Sequence, residues 1–228
     1  MPYVKKSKFS RLRRFRRVKR RLFRRRRGIA SRRGLVNRSA YPAPDRMFAK
    51  LRYTDLINPG AITSPAAQVF FRGNGMYDPD VTYTGHQPLG LDQWMGLYDK
   101  YYVHASKIHV KAVCTSSTAV IAVLPIETTG TVTPITSLLE KPRSKTFMIQ
   151  NTGSSSAGAR STYNSTIKFF GMNKWNAFDD ELVGTSASDP SRLWYWLVAI
   201  QHPDLTTSTT VSFQIDITYY VSFFQLVS

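Results

Sequence analysis

The chain has 228 residues, a formal net charge of +18 and a single cysteine, Cys114. One cysteine excludes an intrachain disulfide framework, and the length suits one ordinary domain plus a tail. The charge is segregated: Met1 to Arg38 holds eighteen Lys or Arg and no Asp or Glu, and the fourteen basic residues beyond are matched by fourteen acidic ones.

The first segment lacks the apolar area for a core, and its like charges repel. Fourteen of its eighteen cations are arginines, whose planar guanidinium pairs with phosphate oxygens in a bidentate way. The expected nucleic-acid-binding residues are therefore Arg11, Arg13, Arg14, Arg16, Arg17, Lys19, Arg20, Arg21, Arg24, Arg25, Arg26, Arg27, Arg32 and Arg33. Phe9, Leu12, Phe15, Val18 and Leu22 recur every three to four residues. They are either chance apolar residues in a disordered arm or the stripe of a helix that forms once phosphates neutralise the charge. Gly28 and Gly34 would interrupt that helix, and Pro42 and Pro44 mark a border. The expected organisation is a basic arm over 1–40 and a folded domain over 41–228. The arm has no apolar run of the kind a signal peptide needs.

The remainder reads as β. Residues 47–57 predict a strand closed by the turn Asn58-Pro59-Gly60, and 67–72 a second, followed by turn-rich sequence through Asp80. Leu91 to Tyr98 predicts two helical turns. Residues 101–114 and 118–126 predict two strands, with Cys114 as a small core residue, and Ile135 to Glu140 a short helix. Residues 145–150 and 163–170 predict strands flanking a surface loop, Gly153 to Gly158. Residues 192–201 predict an aromatic strand in which Trp194, Tyr195 and Trp196 must divide between two faces. Val211, Phe213, Ile215, Ile217, Tyr219 and Val221 alternate strictly with polar residues and Tyr220, so one face of that strand is buried. Seven or eight such strands predict an all-β fold, a single antiparallel jelly-roll sandwich. An immunoglobulin-like sandwich is typically shorter.

Catalytic chemistry finds little support in these residues. His86, His104, His109 and His202 form no short-spaced metal-ligand pattern, and His104 and His109, five apart on one strand, would point to opposite faces. Asp179-Asp180-Glu181 reads as a solvated turn. There is no phosphate loop, dinucleotide fingerprint or nucleophile elbow. No enzyme, cofactor or metal is expected.

Three phrases carry a resemblance. Leu91-Asp92-Gln93-Trp94 leads to Tyr98-Asp99-Lys100-Tyr101-Tyr102-Val103, Ala105-Ser106-Lys107-Ile108 follows, and Ile217 to Phe224 stands near the C-terminus. With the Arg-rich arm, they resemble the capsid proteins of circular Rep-encoding single-stranded DNA viruses, the circovirus-like group. Many members carry an acid where this chain has Ser222. The resemblance implies a jelly roll whose sixty copies form a T=1 shell around circular single-stranded DNA. It also implies an arm that points inward and doubles as a nuclear localisation signal for host import receptors, so that the protein is found in the virion and the host nucleus. Sixty such arms would carry about 1,080 positive charges, and 38 extended residues reach roughly 125 Å.

Two other readings share the plan. Coat proteins of small RNA viruses or satellites also join a basic arm to a jelly roll, and Arg binds either backbone. A basic nucleic-acid-binding protein that builds no shell is the third.

Overall fold

Alternation of apolar and polar residues writes two sheets into this chain. The computed structural model describes residues 43–62, 66–130, 134–151, 157–173 and 180–227. The strands are β1 (Arg46–Ile57), β2 (Ala61–Ile62), β3 (Ala67–Arg72), β4 (Tyr98–Cys114), β5 (Thr118–Ile126), β6 (Lys145–Gln150), β7 (Ala157–Ser165), β8 (Val183–Thr185), β9 (Tyr195–Gln201) and β10 (Thr209–Leu226). Among the described residues, the short α-helices α1 (Leu91–Met95), α2 (Ile135–Leu139) and α3 (Thr166–Phe170) and a 3-10 turn at Asp180–Leu182 accompany them.

One sheet runs β1-β10-β4-β7, with β2 on β10 and β8 on β4; the other runs β3-β9-β5-β6. All pairs are antiparallel. Along the chain, β1, β4, β7 and β10 of one sheet alternate with β3, the β5–β6 pair and β9 of the other, which is the jelly roll expected from the sequence. Asp45–Ser228 forms one compact unit.

The core lies between the sheets. β10 supplies Val211, Phe213, Ile215, Ile217, Tyr219, Val221 and Phe223, and its partners supply Tyr53, Ile108 and Val110, all buried. The four-stranded sheet answers with Val69, Phe71, Ile121, Val123, Trp196 and Val198. Hydrogen bonds tie the layers where aromatic polar tips would otherwise be stranded. Trp196 Nε1 donates to Ser106 Oγ at 2.9 Å, Ser106 Oγ donates to the Gly73 carbonyl at 2.7 Å, and the Tyr219 hydroxyl donates to the Arg72 carbonyl at 2.8 Å. Gly73 must be glycine because a Cβ there would lie 2.4 Å from the Trp194 ring. Trp194 and Trp196 both point inward and meet edge to face at 5.0 Å, while Tyr195 is half-buried. Cys114 is buried, as its apolar setting predicts.

The outer faces differ. On the four-stranded sheet, Ala122, Leu124, Leu197 and Ala199 are covered by Ile135 and Leu138 of α2. One end of the six-stranded sheet is covered around Tyr102 and Leu182 by Ile167 and Phe170. The rest of that outer face mixes charged and polar side chains with a few apolar ones.

Four expectations need correction. The strand placed at 163–170 is β7 over Ala157–Ser165 followed by α3; Ile167 and Phe170 lie three apart and pack on one side, a helical rather than an alternating spacing. Ala157 and Gly158, expected in a loop, open β7, and Gly153–Ser156 lies outside the described residues. The helix at Leu91 ends at Met95, and Tyr98 already belongs to β4. His104 and His109 share a face, because the β4–β10 register slips between Tyr220 and Val221 and a bulge of one residue reverses the alternation.

Ser106→Ala leaves the Trp196 indole N–H and the Gly73 carbonyl without their bridging hydroxyl. The expected loss of stability is about 2–4 kcal/mol, read as a lower denaturant midpoint with an unchanged slope.

Candidate nucleic-acid interface

The arm cations from Arg11 to Arg33 named above, the apolar stripe from Phe9 to Leu22, and Gly28, Gly34 and Pro42 all lie outside the described residues. What the structure adds is a second basic surface, on the body.

Strand register fixes it row by row. Lys50 pairs with Tyr220, which pairs with Ala105 and through it Ser165. The next row is Arg52, Thr218, Lys107 and Tyr163; the next Thr54, Asp216, His109 and Ser161; the next Leu56, Gln214, Lys111 and Ala159. Paired residues share a face, so these sixteen side chains stand on one side, rows about 7 Å apart and strands about 4.8 Å apart. It is the side away from Tyr53, Ile108, Ile215 and Ile217 of the core. Towards one end the same face continues with Arg46 opposite Phe224, Phe48 opposite Ser222, and Lys100.

The face therefore holds six cations: Arg46, Lys50, Arg52, Lys100, Lys107 and Lys111. Asp216 is the only acid that the register places on it. Although the body sums to zero, its acids lie elsewhere. Asp78 and Asp189 pair with Arg72, Asp80 caps Thr82 and Tyr83, and Asp204 accepts from Thr206 and Thr207.

Aromatic rings stand among the cations. Tyr163 is 59% exposed and meets Tyr220 edge to face at 6.0 Å, Lys50 Nζ lies 5.4 Å from the Tyr220 ring, and Arg46 lies 5.8 Å from the Phe224 ring. Exposed rings between cations are what single strands use, since bases stack on aromatics while phosphates meet Lys and Arg. Two groups are more buried. Asp216 accepts from Arg52 Nη2 and Thr54 Oγ1, both at 2.8 Å, and from Gln214 Nε2 at 3.2 Å. Burial pushes its carboxyl up, but those hydrogen bonds and the Arg52 charge outweigh burial and hold it below the usual range. His104 Nε2 lies 2.6 Å from Ser222 Oγ, edge-on to Tyr102 at 4.7 Å. Burial and the nearby Arg46 charge both push its imidazole down.

The other candidates from sequence are not brought together. His86 stacks on Tyr53 at 4.6 Å, His109 Nδ1 lies 2.6 Å from Ser161 Oγ, and His202 pairs with Asp204. No group that could hold a metal occurs among the described residues. Asp180 and Glu181 are exposed in a 3-10 turn, and Asp179 lies outside the described residues. Among the described residues no helix is long and apolar enough to cross a membrane.

The basic face was hidden from sequence reasoning by the sum of the body's charges. The missed signal was period two: Arg46, Lys50 and Arg52 in β1, and Lys107 and Lys111 in β4, share parity within their strands. Only the register shows that the two sets share a surface.

No family model matches the chain, and no curated protein matches it in sequence. Among solved structures, the chain is similar to Desmodium yellow mottle tymovirus at 10% identity, over 85% of this chain and 97% of that one, with a TM-score of 0.38. It is similar to Cocksfoot mottle virus at 10% identity, over 80% and 97%, with a TM-score of 0.45. It is also similar to the BFDV capsid protein, solved as a 60-mer, at 12% identity, over 82% and 98%, with a TM-score of 0.41. At these identities and scores the likenesses add nothing to the strand order already described.

Replacing Lys50 and Lys107 together by Ala removes two exposed cations from this face. The expected result is a salt slope for single-stranded DNA shallower by about 1.4, with stability unchanged within about 0.5 kcal/mol. Binding measured across a salt series, with thermal melts alongside, checks both.

Proposed function

We propose that the protein is a viral shell protein: the jelly roll assembles with copies of itself, and the arm and the basic sheet face hold the packaged genome. The observation that carries this reading is where the charge lies. Eighteen cations precede a body whose acids and bases cancel, and that body gathers six of its cations on one sheet face. A protein whose only task was to coat nucleic acid would gain from a net positive body. A body that must pack against its own copies gains from having none, because like charges oppose assembly.

The expected particle is icosahedral, T=1, of sixty copies. That figure and the choice of circular single-stranded DNA come from the resemblance carried by Leu91 to Ile108 and Ile217 to Phe224. The organisation proposed is an arm over 1–40 and a shell domain over 41–228, in which Arg11 to Arg33 neutralise phosphates. Phosphate contacts of this kind position a backbone without reading its sequence. The arm also serves as a nuclear import signal, so the protein is found in the host nucleus as well as the virion. No catalytic step enters this reading.

Sedimentation of the expressed protein tests the shell. A megadalton particle is expected, and a 26 kDa species at modest salt would contradict it. Nucleic acid extracted from nuclease-treated particles should be DNA; RNA would favour the small RNA virus reading. Removing residues 1–38 should leave a body that folds but packages little nucleic acid, and normal genome content would remove the arm from the mechanism. Residues 1–38 fused to a fluorescent reporter should carry it to the nucleus; a cytoplasmic signal would count against import.

A further inference from the structure

The one acid on the basic face is placed to compete with the ligand. The Asp216 side chain is 8% exposed, and the Arg52 side chain that it grips is 64% exposed. One guanidinium nitrogen of Arg52 is thus held at 2.8 Å by the carboxylate, while most of the group faces solvent. Lys111 Nζ lies 3.6 Å from the other carboxylate oxygen, Oδ2. Asp216 stands in the row next to Arg52 and Lys107 and two strands from Tyr163, near the middle of the face. Between these rows is a shallow depression lined by Arg52, Lys107, His109, Ser161, Asp216 and Thr218.

The carboxylate's partners Arg52, Thr54, Gln214 and Lys111 all stand on the outer face, so it ties outer side chains together rather than core ones. Thr54 and Gln214 donors hold it in place, so it stays charged and fixed where polyanion phosphates would arrive. Its charge offsets the attraction of Arg52 and Lys111 for those phosphates.

We propose that Asp216 is a built-in counter-anion: it neutralises Arg52 and Lys111 on the unloaded face and so limits how tightly the sheet holds single-stranded nucleic acid. The proposal rests on reading this face as a nucleic-acid surface. A face weakened in this way releases and rebinds strand easily, which lets a chain settle during packaging while the arm keeps hold of it.

Asp216→Asn tests the idea, because an amide keeps the Oδ1 acceptor for Arg52, Thr54 and Gln214 while it removes the charge and turns the Oδ2 position beside Lys111 into a donor. The full chain is cross-linked by ultraviolet light to an unstructured oligothymidine across a salt series. Peptides carrying Tyr163 and Tyr220 report the face, and arm peptides serve as an internal reference. At salt where the face is sparsely occupied, Asp216→Asn should raise face cross-links about two- to fivefold, the scale of one surface charge pair, and leave arm cross-links unchanged. Asp92→Asn, an exposed neutralisation on α1, should leave both unchanged. In an Arg52→Ala background the gain should shrink, because Asp216 then restrains Lys111 alone. If Asp216→Asn fails to fold, Asp216→Ser gives the same comparison with a hydroxyl acceptor. Face cross-links that match Asp92→Asn, or that fall, would overturn the role of Asp216 while leaving the face itself standing. An absence of face cross-links in the unaltered protein would overturn both.

Discussion

The body hangs on one strand. β10 is eighteen residues long and is hydrogen-bonded along nearly its whole length to β1 on one side and β4 on the other. Its alternation commits Val211 through Phe223 to the core and Ser212 through Phe224 to the outer face. Slipping either neighbour by one residue would carry its apolar set to solvent and its cations inward. The burial of Tyr53, Ile108 and Ile217 therefore fixes where Lys50, Arg52 and Lys107 stand. The charged face is a by-product of core packing, held to the same register.

That constraint gives the protein two electrostatic regimes. The first 38 residues carry cations with no acid among them. On the sheet, cations are held at strand spacing and interleaved with tyrosines, and two of the six, Arg52 and Lys111, pair with Asp216. Screening acts over about 8 Å at physiological salt, so neighbouring rows of the face present a joint potential to a nearby polyanion, while charges on distant parts of the body are screened from it. A body neutral in sum and polarised in detail gathers cations on one face without carrying a net charge.

Most of this fold was legible in the sequence because β alternation is a local signal. β5 and β6 coincide with the runs at 118–126 and 145–150, and β10 was the clearest run of all. Where reading failed, a non-local cause was at work. α3 was read as strand because Ile167 and Phe170 find their reason only in Tyr102 and Leu182, distant in sequence. The faces of His104 and His109 were misassigned because a bulge is set by pairing with β10. The basic face was missed for a similar reason: Lys50 and Lys107 are 57 positions apart, and only the register through β10 makes them neighbours. Segregation of charge into the first 38 residues, by contrast, needed no structure to be seen.

Under the proposed function, a shell built from this jelly roll turns its six-stranded sheet towards enclosed nucleic acid. Electron cryomicroscopy of purified particles can see this orientation. A closed shell is expected in which Lys50, Arg52, Lys107 and Tyr163 line the interior, with nucleic-acid density against them. A shell with that sheet facing outward, or an inner surface formed by β3, β9, β5 and β6, would contradict it.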